Sequence, residues 1–280
     1  MKKYLIILFA VMFYSVASVA DTSDIKNNFF NSLENFFDGK FKDTDISIKS
    51  KEGNKPEIGI KTFKPLNDTE SEITFFQGSL FAHDERETLN LGFGKRILSD
   101  DESFLYGLNA FYDHELDYDH QRASVGIEAI SSVGSLRLNQ YYGLSNKKKG
   151  LNDVNEEALD GQDIEVGAPL PYLPWTNFSY RSFEWKGVDG TEDQKGDEIS
   201  LEAKFSGFNI EVGKRSNDGS TEDNEFLKLT WTCCSKDQEE ISVSDTAYKL
   251  TSVADQKFVK VERQNLIVKQ KEMSFSVIGF

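Results

Sequence analysis

The chain has 280 residues, 32 of them basic and 47 acidic, for a formal net charge of -15. That balance excludes a nucleic-acid binder driven by phosphate neutralisation, and 22 Phe with 10 Tyr exclude a chain disordered throughout. Two Cys cannot build a disulfide framework, whereas few apolar residues, many aromatics and abundant Gly suit a sheet with one polar face.

Lys2 and Lys3, the apolar run Tyr4 to Val16 and the small residues Ser18-Val19-Ala20 form a secretory-signal pattern over 1–20, with Asp21 the expected first mature residue. The run is shorter than the roughly 20 residues a membrane helix needs, and no later stretch approaches that length. Membrane insertion would therefore require a barrel. Ile25, Phe29, Phe30, Leu33, Phe36 and Phe37 recur at helical spacing before Asp38-Gly39, so 21–40 reads as a short periplasmic segment with a helix over 24–37.

After this helix the period becomes two. The alternation predicts strands at 41–50, 56–65, 72–83, 87–98, 103–115, 122–131, 135–145, 161–169, 176–186, 197–205, 208–216 and 224–233. On one face stand residues such as Phe93, Leu108, Ile127 and Leu201. On the other stand Arg96, Asn109, Asp113, Arg122, Glu128, Asp163, Glu165, Glu202, Lys204 and Glu211, mixed with Gly. A soluble sandwich would put the apolar face inside, and a membrane barrel would turn it to lipid. The export signal, strands of about 9–11 residues and aromatic strand ends favour the barrel. An even strand number and short turns alternating with long loops agree with it.

Thr74-Phe75-Phe76-Gln77-Gly78-Ser79-Leu80 and Thr88 to Arg96 resemble the β-domain of inverse autotransporters, the intimin and invasin family. Gly107-Leu108-Asn109-Ala110-Phe111-Tyr112-Asp113, His120-Gln121-Arg122 with Gly126-Ile127-Glu128, Asn139 to Ser145, and Gly161, Asp163 and Leu170-Pro171 are similar to its following strands. Val261-Glu262-Arg263-Gln264-Asn265-Leu266-Ile267-Val268 is similar to its pore linker, so the resemblance covers roughly 40–270. It implies a twelve-stranded antiparallel outer-membrane barrel over 41–234 that anchors and exports a C-terminal segment. Over 235–280 it implies a periplasmic helix at Ser244 to Ala254 and a linker at Phe258 to Gln270 that re-enters the pore. Lumen residues Arg96, Asn109, Asp113, Arg122, Glu128, Asp163, Glu202 and Arg215 would hold linker residues Glu262, Arg263, Asn265, Ile267 and Val268.

The sequence stops about ten residues past the linker, so the expectation is a translocator without its own passenger. Phe280 resembles an outer-membrane assembly signal, and the alternative reading of Ser274 to Phe280 is the start of a truncated passenger. The expected partners are outer-membrane lipid and lipopolysaccharide, the barrel-assembly machinery and periplasmic chaperones. Nucleic acid is excluded, and a homodimer is compatible with the reading. No enzyme activity, metal or cofactor is expected. A channel is the alternative function, and a rim hydrolase built on His114, His120 and nearby carboxylates ranks below it. His83, those two histidines, Lys147-Lys148-Lys149 and the acidic stretch Asn152 to Asp160 read as solvated loop charge, and Cys233-Cys234 as unpaired thiols.

Overall fold

The structure is a computed structural model and describes residues 44–51, 54–205, 207–218, 222–233, 241–272 and 277–278. The expected signal, the helix over 24–37, Cys234 and Phe280 lie outside those residues. In chain order the strands are β1 (Thr44–Lys51), β2 (Glu57–Asp68), β3 (Glu72–His83), β4 (Arg86–Leu98), β5 (Phe104–Glu115), β6 (Gln121–Ser131), β7 (Gly134–Gly143), β8 (Lys148–Lys149), β9 (Asn155–Ala158), β10 (Gly161–Leu170), β11 (Leu173–Trp185), β12 (Gln194–Phe205), β13 (Phe208–Asn217), β14 (Asn224–Cys233), β15 (Lys269–Lys271) and β16 (Val277–Ile278).

Twelve of these close into one antiparallel barrel, in the order β1-β14-β13-β12-β11-β10-β7-β6-β5-β4-β3-β2. The seam pairs Thr44 with Cys233 and Lys51 with Phe226. Each predicted strand has its counterpart. Among the described residues the largest shifts are of three positions: β2 ends at Asp68 instead of 65, β11 begins at Leu173 instead of 176, and β12 begins at Gln194 instead of 197. Gln194 pairs with Trp185 and so extends the ladder through residues with no apolar alternation. All connections at one end of the barrel are short turns, and the long ones lie at the other. The remaining strands form a small sheet at the long-loop end, in the order β16-β15-β9-β8.

The two faces are distributed inside out relative to a soluble sheet. Phe93 and Leu108 are 58% and 62% exposed on the outer surface, while Arg96, Asp113 and Arg122 are 0% exposed inside. Buried charge within and apolar side chains without identify the outer surface as the lipid face. The inward glycines have a packing reason. A Cβ on Gly92 would lie 2.1 Å from the Phe111 ring, and one on Gly161 would lie 2.1 Å from the Trp185 ring. Each ring lies flat on the bare backbone of its cross-strand partner, which keeps large aromatics against the wall.

The segment expected to be helical from Ser244 to Ala254 is irregular up to Val253 instead. It runs as a strap along the turn end, with a 3₁₀ turn only at Ala254–Phe258. Ser244 N–H donates to Tyr172 O (2.8 Å), Thr251 N–H to Ser132 Oγ (2.9 Å) and Val253 N–H to Glu102 O (2.9 Å). Its hydroxyls also accept local backbone N–H groups, Ser244 Oγ from Thr246 and Ser252 Oγ from Ala254. These bonds use donors that a helix would need, which is why the turn residues outcompete it. From the 3₁₀ turn the chain enters the barrel.

Candidate functional site

Residues 257–268 run through the lumen along the inner wall of β3 to β7 and meet the long-loop end as β15. An extended backbone away from bulk water needs partners for its N–H and C=O groups. Wall side chains supply them. Arg96 Nη1 donates to the carbonyls of Lys257 (2.8 Å) and Val259 (2.5 Å). The Gln77 amide serves both sides of Val261, accepting from its N–H (2.7 Å) and donating to its carbonyl (3.4 Å). Asn139 donates to Glu262 O (3.4 Å), and Gln264 N–H donates to the Tyr141 hydroxyl (2.8 Å). Asn90 donates to Asn265 O (3.0 Å), and Arg122 donates to the carbonyls of Gln264 (2.7 Å) and Leu266 (3.0 Å).

The centre of this contact is a buried charge cluster. Asp113 accepts from Arg122 Nε (2.9 Å) and takes both terminal nitrogens of Arg263 (2.9 and 2.6 Å). Arg263 also donates to Ser124 Oγ (3.0 Å) and stacks over Phe111, with 4.5 Å to the ring centroid. Two guanidiniums on one carboxylate leave excess positive charge, which the segment's carbonyl oxygens at Arg122 offset. Apolar anchors flank the cluster. Val261 packs with Phe63, Ile73, Phe75 and Phe111, and Val268 packs with Tyr141, Leu159, Phe183 and Trp185.

The residues singled out in the sequence divide into groups. Arg96, Asp113 and Arg122 touch the segment directly. Glu128 reaches it through Arg96 (2.6 Å), and Asp163 through Tyr141 (2.6 Å) and Asn139 (2.8 Å). Asn109 is buried on the inner face beside Gly126. Glu202 and Arg215 bond within the opposite wall, Glu202 to Asn209 (3.0 Å) and Arg215 to Glu198 (2.8 Å). On the segment, Arg263 meets Asp113, Glu262 faces Lys61 (3.6 Å), the Asn265 carbonyl takes Asn90, and Ile267 and Val268 are buried. Gln77, Asn90, Ser124 and Tyr141 were not singled out as contacts, because nothing in an alternating strand marks which inward residues meet a segment far along the chain.

A second cluster sits where the segment leaves the barrel. Arg86 binds Glu115 (2.9 Å) and Glu156 (2.7 Å), and Lys269 pairs with Glu115. Glu156 is fully buried, so the acidic stretch around it is not simply solvated loop. Glu115, His120 and Glu156 offer ligand-type atoms within 4.8 Å of one another. Two carboxylates there already face two side-chain cations, so the group is charge-balanced as an ion-pair lock. Burial and the neighbouring Lys269 push the His120 imidazole down to about 4. The histidines have separate partners: His114 meets Asp119 (2.9 Å), and His120 meets Ser145 (3.2 Å). Lys147 pairs with Asp189 (2.6 Å) and Lys148 with Asp119 (2.5 Å), so two of the three lysines tie loops together. The Lys148 bond holds the Asp119 carboxyl below the usual carboxylate range.

A closed twelve-stranded barrel, apolar outside and charged inside, with its own chain threaded through the lumen, defines an outer-membrane anchor barrel. The family described as inverse autotransporter, beta-domain matches residues 15–265, and the chain belongs to it. The chain is 28% identical over 180 residues to invasin of Yersinia enterocolitica, covering 62% of this chain and 21% of that protein. It is 26% identical over 239 residues to the inverse autotransporter adhesin YeeJ of Escherichia coli (strain K12), covering 81% of this chain and 10% of that protein. The chain thus spans about a fifth of the one and a tenth of the other. A structure solved in work on the in-meso crystallization of membrane proteins shares the fold, with a TM-score of 0.69 at 19% identity, covering 82% of this chain and all of that one.

Proposed function

We propose that this barrel delivers its C-terminal segment to the cell surface and holds it there, without enzymatic chemistry. The observation that carries the reading is the threaded segment itself, whose main chain is bonded to the wall from Lys257 to Leu266. In this reading the short turns face the periplasm and the long loops face outward. The chain reaches the membrane by an N-terminal signal cleaved after Ala20, and the outer surface meets lipid and lipopolysaccharide. The barrel-assembly machinery and periplasmic chaperones bring it there, and Arg96, Asp113 and Arg122 hold the segment by its carbonyls and by Arg263. The test is an epitope tag placed after Gly279. Antibody binding on intact cells is expected. Binding only after permeabilisation would sink the reading.

One observation favours a second activity. A polar cavity of about 500 Å³ lies between the segment and the opposite wall, lined by Lys49, Arg181, Glu198, Glu202 and Lys228. It suits passage of small solutes. Conductance in planar bilayers distinguishes the two: steady steps from the intact chain support the channel, and steps only after removal of 258–268 support a plugged anchor.

A further inference from the structure

Where the threaded segment leaves the lumen it is taken up by a loop. β15 pairs with β9, with Lys269 opposite Ala158, Gln270 opposite Glu157 and Lys271 opposite Glu156. Leu159 N–H donates to Val268 O (3.0 Å), and Glu272 N–H donates to Asn155 O (2.8 Å). In an antiparallel ladder bonded pairs alternate, so Glu157 and Gln270 face each other with their backbone groups. On its other edge β9 has only β8, through the pairs Lys148–Glu156 and Lys149–Asn155. A hairpin that short is marginal in water. The departing segment therefore supplies most of what holds this loop as a sheet.

A second loop grips from another side. The Gln270 side-chain oxygen accepts from Val188 N–H (3.2 Å) and Thr191 Oγ (2.7 Å). Asn155 and Lys147 meet Glu272 at 2.5 and 3.3 Å.

We infer that β9 is a capture strand. It adds the emerging polypeptide to its edge through main-chain hydrogen bonds and keeps that polypeptide from sliding back. The bonds at β9 are backbone to backbone, so for β9 itself the partner is an extended chain of little required sequence. Side chains are read elsewhere: the Lys269 ammonium closes the Glu115–Arg86–Glu156 lock, and the Gln270 amide meets the second loop at Val188 and Thr191. This role rests on the delivery reading above.

The experiment compares Glu157→Pro with Glu157→Ala in the full chain tagged after Gly279. Proline removes the one N–H that faces Gln270, whereas alanine removes only the side chain. Heat-modifiable migration reports an intact barrel for each. Glu157→Pro is expected to lower tag exposure on intact cells about tenfold, the scale of one main-chain hydrogen bond, with Glu157→Ala unchanged. Wild-type exposure in Glu157→Pro, or equal loss in both, overturns the capture strand. A third variant, Glu157→Cys with Gln270→Cys, separates the two readings. A disulfide with a hidden tag would remove the delivery reading while leaving the β9–β15 pairing in place. An exposed tag without a disulfide would do the reverse.

Discussion

The two halves of the lumen solve the same electrostatic problem differently. The opposite wall pairs its charges with itself across neighbouring strands: Arg215 with Glu198 (2.8 Å), Lys228 with Glu211 (3.2 Å) and Arg181 with Glu165 (2.5 Å). The β3 to β7 wall leaves donors over, and the threaded segment's carbonyls take them up. The opposite wall needs little from the segment, which reaches that half through Lys260 on Asp45 (3.0 Å). The other is complete only with it. Buried charge therefore acts as scaffold on one side and as a receptor for backbone on the other.

The sharpest way to break this comparison is to remove one carboxylate from each wall. Asp113→Asn leaves Arg122 and Arg263 buried without a counter-charge, and a loss of about 3–5 kcal/mol is expected. Urea unfolding in lipid vesicles measures it, and protease access to 258–268 should rise with it. Glu198→Gln removes the buried carboxylate that Arg215 and Lys49 both face and should cost about 3 kcal/mol, yet leave the segment protected. Release of the segment in that variant would show that the halves are not independent. Next in size is Gln77→Leu, which leaves both backbone groups of Val261 unpaired inside the barrel. About 1–3 kcal/mol is expected, read as earlier proteolysis of the segment with little change in barrel unfolding.

Acid sharpens the comparison at the exit. The His120 pKa falls from 6.5 to about 4 on folding, so protonation opposes the folded form. Its contribution is fully present above about 6.5 and is lost as pH falls through about 4. The groups facing it, Glu156, Lys269, Arg86 and Lys148, belong to the loop end and the segment. Limited proteolysis between pH 7 and 4 should therefore open the exit before the opposite wall, with the step absent in His120→Gln. The smallest effect is expected for Lys149→Ala. Its pair with Asp153 is largely exposed, and less than about 0.5 kcal/mol should be lost.

Much of the barrel is legible in the sequence because a strand with lipid on one side and lumen on the other must alternate at period two. Even the β7 strand, interrupted on its apolar face by Gln140, keeps its inward residues Asn139 and Tyr141. The site is less legible. Arg122 and Arg215 look alike in the pattern, and only the path of the segment separates their roles. The exit lock is less visible still, since Arg86, Glu115, Glu156 and Lys269 come from four distant stretches that share no periodicity. The strap at 241–253 misled for a local reason: its hydroxyls and apolar residues suit a short helix until three turns offer its backbone other partners.

The direction of the threaded segment sets how the molecule bears mechanical load. Between Lys257 and Leu266 the chain lies along the barrel, and its carbonyls are tied to several strands at successive depths. A pull on the outer end strains those bonds together in shear, instead of opening them one after another as in peeling. The force then passes into strands already closed into a ring, which has no free edge from which to unzip. Such a tether resists tension best along the membrane normal, the direction in which a surface segment would be drawn.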